Sequence, residues 1–216
     1  MKLVVFDLDG TLVDSRRDLA DAANSMLRSF GAEPLPEDAV GRMVGDGAPV
    51  LVARVFDAAG MPPPADALGR FLSIYERGLL THTRPYDGIT DLLVDLAPRV
   101  ALGVLTNKPR RATVAILEGL DLTRFFPDAQ IVGGDGPFPR KPDPTGLRHL
   151  MSVFGVSPKT TLLVGDSLVD LRTSRAAESR ACLARYGFGW DSVADHREDA
   201  RDAWLIDEPR ELLRYV

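Results

Sequence analysis

What most constrains this chain is the way its apolar runs end. Leu3-Val4-Val5-Phe6, Val100 to Leu105 and Thr161 to Val164 are rich in β-branched and aliphatic residues and read as buried strands. Each runs directly into polar residues: Asp7-Leu8-Asp9-Gly10-Thr11-Leu12, Thr106-Asn107-Lys108, and Gly165-Asp166-Ser167 with Asp170 beyond. A shorter strand, Ala129 to Val132, leads through a loop to Arg140-Lys141-Pro142. Side chains two apart on a strand share a face, so Asp7 and Asp9 begin as neighbours. Carboxylates at the end of an apolar strand are costly unless a cation, a proton or hydrogen-bond donors compensate them, and Gly10 lets the chain turn sharply behind them.

The connections are helical. From Tyr86 onward strand and helix patterns alternate, with further strands at Arg180 to Ala184 and Ala203 to Ile206. This predicts an α/β fold with a doubly wound, mostly parallel, Rossmann-like sheet, whose ligands bind beyond the carboxyl ends of the strands. Residues 14–85 do not fit one crossover. They hold four helical patterns: one opened by Ser15 with Asp18 in a capping-box-like spacing, one around Ala39 to Val44 stopping at Gly45-Asp46-Gly47, one begun at Pro49, and one carrying Leu68, Phe71, Leu72, Tyr75 and Leu79. The expected organisation is a core of residues 1–13 and 86–216 with a helical subdomain inserted at 14–85, above the strand end that carries Asp7.

Gathered at one edge of such a sheet, Asp7, Asp9, Asp166 and Asp170 would repel one another without a cation. Oxygen ligands with room for water and a phosphate oxygen suit Mg²⁺, whereas zinc would call for His and Cys. Thr106, Lys141 and backbone N–H groups from Leu8 to Gly10 can then donate to phosphate oxygens, while one carboxylate attacks phosphorus and another moves protons. Taken singly, Asp-x-Asp-Gly is a common turn and Thr106-Asn107 a common helix cap. Four such groups after four buried strands point to a phosphotransfer site. His82, His149 and His196 are scattered, and Cys182 sits in a strand as a small buried hydrophobe.

Composition narrows the partners. A net charge of −5 argues against nucleic acid, no apolar run approaches the ~20 residues of a membrane span, and one cysteine rules out an internal disulfide. The chain starts directly at its first strand, and a cytoplasmic protein is expected, monomeric or homodimeric, acting on a small phosphorylated metabolite.

In order, Asp7-Leu-Asp-Gly-Thr-Leu12, Leu105-Thr-Asn107, Lys141-Pro-Asp-Pro144 and Gly165-Asp-Ser-x-x-Asp170 resemble the four motifs of the haloacid dehalogenase superfamily. The resemblance implies that Asp7 is the nucleophile and Asp9 the general acid/base, whose backbone carbonyl also binds Mg²⁺. It implies that Asp166 is a metal ligand and Asp170 its support, and that Thr106, Asn107 and Lys141 hold the phosphoryl group. It also implies that the insertion is a closing helical cap. Gly45-Asp-Gly47, Arg84-Pro-Tyr-Asp-Gly88, Thr106-Asn-Lys-Pro109 and the segment Gly133 to Pro144 are similar to phosphoglycolate phosphatases within that superfamily. A substrate with a second acid would need a donor. The candidates are Gly45, Asp46 and the N–H groups following Gly47, together with Arg42, Arg54 and Lys108. Members of the superfamily also include phosphatases for other small esters, phosphomutases and non-catalytic phosphate binders; a dehalogenase is disfavoured by the acid at Asp9. Two departures from the pattern are Leu168-Val169, where relatives are more polar, and Ala177-Glu178, where Ala-Gly is usual.

Overall fold

The computed structural model describes residues 1–194, 196 and 198–216. Six strands form one parallel sheet: β1 (Leu3–Phe6), β4 (Ala101–Leu105), β5 (Ile131–Val132), β6 (Thr161–Gly165), β7 (Arg180–Ala184) and β8 (Trp204–Ile206), ordered β5-β4-β1-β6-β7-β8. Strand β1 is central, with Phe6 in register with Val104 on one side and Val164 on the other. That register puts the residues following β1, β4 and β6 at one edge of the sheet. Alternation along the strands fills two faces. Val4, Phe6, Val104 and Val164 pack with Ile89 to Leu96 of α5 (Ile89–Leu96) and with Ile116 and Leu117 of α6 (Arg110–Gly119). Leu3, Val5 and Leu163 pack on the other side with Leu147, Leu150 and Met151 of α7 (Thr145–Val153).

The strand expected at Ala129 to Val132 is shorter than its pattern. Asp128–Gln130 form a 3-10 turn, and only Ile131 and Val132 pair with β4. At the opposite edge the last strand starts at Trp204 rather than Ala203.

Helices α1 (Arg16–Ser29), α2 (Glu37–Gly41), α3 (Ala48–Ala58) and α4 (Ala67–Arg77) make a separate bundle. It has its own core, in which Met26, Leu27, Val55, Phe56 and Phe71 are buried together. Helix α2 ends at Gly41, before the expected Val44; Met43 and Val44 continue only as turns donating to Val40 O and Gly41 O. The two chain segments joining bundle to sheet run side by side as a short antiparallel ribbon, β2 (Val13–Asp14) against β3 (Arg84–Pro85).

The capping box expected at Ser15 and Asp18 does not form. Ser15 Oγ donates instead to Asp9 Oδ1 at 2.5 Å. Asp18, buried, accepts from the backbone N–H groups of His82 and Thr83 and from Thr83 Oγ1 at 2.7–3.0 Å. Both side chains tie α1 to its surroundings rather than ending it: one reaches the sheet edge, the other the returning linker. A capping arrangement is found at α8 (Leu168–Ala176), where Ser167 N and Oγ both donate to Asp170 Oδ2. At the far end of α8, Glu178 takes the left-handed backbone conformation usual for glycine, with φ 59°. Ser179 N–H closes that end on Ser174 O.

Candidate active site

The residues following β1, β4 and β6 and those before α7 meet under the four-helix bundle. Asp7, Asp166 and Asp170 lie together, each offering a carboxylate oxygen within 4.8 Å of the others. Lys141 reaches into this group, 2.9 Å from Asp7 Oδ1 and 2.6 Å from Asp170 Oδ1. All four are buried. Burial, then the nearby Asp170, pushes the Asp7 carboxyl up to about 6 against the pull of Lys141. Burial and repulsion from Asp170 and Asp7 raise Asp166 well above the usual carboxylate range. Burial works against the Lys141 ammonium, but Asp170 and Asp7 outweigh it and raise its pKa.

Backbone fit holds this cluster in place. Gly10 has φ +83°, and a Cβ there would stand 1.9 Å from Asp166 Oδ2. Gly165 likewise leaves space for Asp170, whose Cγ a Cβ would meet at 2.1 Å. Only glycine admits such approaches, and at Gly10 only glycine takes the turn without strain.

Asp9 stands apart from the acidic cluster. Its carboxylate accepts from Ser15 Oγ and, through both oxygens, from Lys108 Nζ at 2.9 and 2.8 Å. The spacing that made the two acids neighbours on paper is undone by the turn after Asp7. Asp7 joins the buried cluster and Asp9 does not, and both line a cavity of about 350 Å³ between sheet and bundle. Thr106, buried, also lines that cavity. Asn107 lines it too, but its amide is engaged by other groups. Its Nδ2 donates to Gly45 O and Lys141 O, and its Oδ1 accepts from Lys141 N–H, so it fastens the Lys141 loop and the bundle to the sheet. Of the backbone donors expected at Leu8 to Gly10, Gly10 N–H is committed to Val13 O.

The bundle's expected contributors divide. Gly45 and Gly47 line the cavity, and a Cβ on Gly47 would press on Arg140 and on Asn107 O at 3.1–3.2 Å. Asp46 and Arg54 pair with each other at 2.6 Å, Arg54 also donates to Met43 O, and neither lines the cavity. Arg42 faces a different depression, beside Arg16 and Tyr186. The sequence pattern marked cations near the glycine loop but could not tell which side of it each would take.

A model of the haloacid dehalogenase-like hydrolases matches residues 4–184. The chain belongs to this family. Two similar family members are a protein of Rhodospirillum rubrum named phosphoglycolate phosphatase, 45% identical over 202 residues, covering 89% of this chain and 83% of that protein, and phosphoglycolate phosphatase 1 of Pseudomonas aeruginosa, 39% identical over 98% of this chain and 78% of its own length. The crystal structure of a predicted phosphoglycolate phosphatase from Haemophilus somnus superposes with a TM-score of 0.91 at 30% identity, covering 100% of this chain and 97% of that one.

Phosphatases of the haloacid dehalogenase-like family use Mg²⁺, and the residues here fit such an ion. Three buried carboxylates face a single ammonium, so negative charge is left over, and hard oxygen donors are the type Mg²⁺ prefers. A part of this hydrolase site that sequence reasoning missed is the loop after β7. Gly189 N–H donates to Asp166 Oδ2 at 2.7 Å, Tyr186 OH donates to Thr11 O at 3.1 Å, and Gly187 lies so close to Gly10 that a Cβ would meet its carbonyl at 2.2 Å. Its only signal in the sequence is the alternation of aromatic and glycine in Tyr186-Gly-Phe-Gly-Trp190, directly after a strand.

Proposed function

We propose that the chain is a Mg²⁺-dependent phosphoglycolate phosphatase working through an aspartyl phosphate on Asp7. The observation that carries the mechanism is the separation of the two first-motif acids, which both line the cavity: Asp7 lies within the buried cluster beside Lys141, Asp9 outside it beside Lys108. An Asp7 carboxylate oxygen attacks phosphorus, and the bond to the ester oxygen breaks. Asp9 gives its proton to the departing glycolate, then takes one from the water that hydrolyses the acyl phosphate, releasing phosphate and regenerating Asp7. Thr106 and the N–H groups of Leu8 and Asp9 donate to the phosphoryl oxygens, and Lys141 offsets their charge. Asp7, Asp166 and the Asp9 carbonyl, with Asp170 in support, would hold Mg²⁺, which would supply charge neutralisation of the phosphoryl group when bound. Residues 14–85 act as the cap. The proposed action is on a small metabolite in the cytoplasm, by a monomer or homodimer; among the described residues no helix is long and apolar enough to cross a membrane.

The choice of phosphoglycolate rests on the names carried by the Rhodospirillum and Pseudomonas relatives. Phosphate release from a panel of phosphomonoesters with Mg²⁺ tests it: the highest kcat/KM is expected for phosphoglycolate, and a marked preference for a sugar phosphate or nucleotide overturns it. One observation favours a second reading. The cavity is roomier than glycolate requires, and its bundle side is apolar, with Leu19, Leu51, Leu68 and Leu72. A bulkier acid phosphate would fill it, and the same panel decides by including one.

A further inference from the structure

We infer that Lys108, together with the Tyr75 hydroxyl, is the group that reads the substrate's carboxylate. The inference rests on the proposed function and concerns which atoms confer its selectivity. In phosphoglycolate the carboxylate sits on the carbon bonded to the ester oxygen, so the acid that protonates that oxygen has the carboxylate beside it. A cation that selects this substrate must therefore lie next to Asp9. Lys108 does. Its ammonium is 2.8–2.9 Å from both Asp9 oxygens, and its side chain is buried in the cavity wall. Asp9 takes two of the ammonium's N–H directions and the Tyr75 ring lies 4.6 Å away, so an arriving carboxylate meets the Lys108 charge and the Tyr75 hydroxyl together.

Tyr75 supplies an independent sign. Its ring lies under the ammonium, with Lys108 Nζ 4.6 Å from the ring centroid. The side chain lines the cavity at 4% exposure, and its hydroxyl has no hydrogen-bond partner among the described residues. A buried hydroxyl left without a partner is costly, and in a cavity wall it is a donor awaiting an acceptor. The surrounding bundle residues, Leu19, Leu51 and Leu72, offer none. Lys108 comes from the sheet and Tyr75 from the bundle, so a carboxylate held by both would also join the two across the cavity. Other cations fit less well: Arg140 lines the cavity but its Nε donates to Gly134 O, Arg54 is engaged by Asp46, Arg42 faces another depression, and Arg111 has its side chain 84% exposed.

The test compares phosphoglycolate with 2-hydroxyethyl phosphate, of similar size but without the negative carboxylate. The quantity read is the ratio of the two kcat/KM values, in which any general change through Asp9 cancels. In Lys108→Gln the ratio is expected to fall about 30-fold or more, in keeping with loss of a charge-assisted hydrogen bond. Lys108→Arg should recover part of it, and Tyr75→Phe should lower it about 5-fold. Arg54→Gln should leave it at the wild-type value. Circular dichroism establishes folding, and Lys108→Met, which keeps the apolar stem, replaces the Gln variant if that one fails to fold. A wild-type ratio in the Lys108 variants overturns the inference but leaves the proposed substrate standing. A ratio near one in the wild type overturns both, and an unchanged ratio in Tyr75→Phe removes the hydroxyl from the subsite.

Discussion

The floor and the roof of the cavity are built on opposite plans. On the floor the buried polar groups are interlocked: Lys141 joins Asp7 to Asp170, Ser167 donates to Asp170, Asn107 locks the Lys141 backbone, and Asp166, without an ammonium of its own, is held by the Gly189 N–H. The roof is mostly leucine and aromatic carbon, with the Tyr75 hydroxyl as its one buried unpaired polar group among the described residues lining the cavity. An interlocked polar network has few tolerable substitutions, because removing one member strands the rest in low dielectric. An apolar wall can be reshaped at a modest cost. The difference teaches that reaction chemistry is a property of the floor as a unit, while substrate choice is spread over a surface where single side chains can be exchanged.

The sharpest way to break that contrast is at the nucleophile. Asp7→Asn should lower kcat by ~10⁴-fold or more while far-ultraviolet circular dichroism stays that of the wild type; substantial residual turnover would contradict an aspartyl phosphate. Next comes the charge balance. Asp166→Asn removes a carboxylate that no nearby ammonium pairs, so without metal it should raise stability by about 1–2 kcal/mol. It should also erase the rise in Tm that Mg²⁺ gives the wild type. Thermal melts with Mg²⁺ and with EDTA measure both; a destabilised variant in EDTA would mean that the floor is already neutral. On the roof, Leu72→Ala should cost only about 1 kcal/mol, since the side chain is partly buried at the cavity edge. It should shift kcat/KM toward bulkier phosphate esters while phosphoglycolate turnover changes little, as the ester panel would reveal. The smallest effect lies away from both surfaces. Glu178→Gly relieves a left-handed backbone and should stabilise by about 0.5–1 kcal/mol with kcat unchanged, as read from denaturant melts.

The floor was legible in the sequence because its chemistry is local: polar residues directly after apolar strands reveal both the strand and its exposed end. Parallel pairing then brings those ends together, as Phe6 between Val104 and Val164 illustrates. The insertion was legible as helices by its periodicity. What could not be read were partners fixed by long-range packing. Ser15 and Asp18 have capping-box spacing, yet Asp9 and the Thr83 backbone lie closer to hand in three dimensions than their own helix's first turn. Asn107 looks like a phosphate ligand in its motif but is consumed by Gly45 O and the Lys141 backbone. Arg42, Arg54 and Lys108 are equal as cations in a list of residues; only the direction of the turn after Gly41 and the reach of Lys108 toward Asp9 separate them. The β7 loop escaped notice because it works through backbone N–H and absent side chains, which carry little compositional signal.

The two-residue ribbon of Val13-Asp14 against Arg84-Pro85 has a consequence for how such a molecule can change over time. Because departure and return of the chain are adjacent, everything between them is joined covalently to the sheet at one place, like a tool on a handle. Lengthening or exchanging that segment leaves the sheet's own loop closures as they were, and the added closure cost grows only logarithmically with length. A different bundle, or a short turn in its place, could be spliced at Asp14 and Arg84 without rethreading the strands, so one hydrolytic floor can be offered under many roofs.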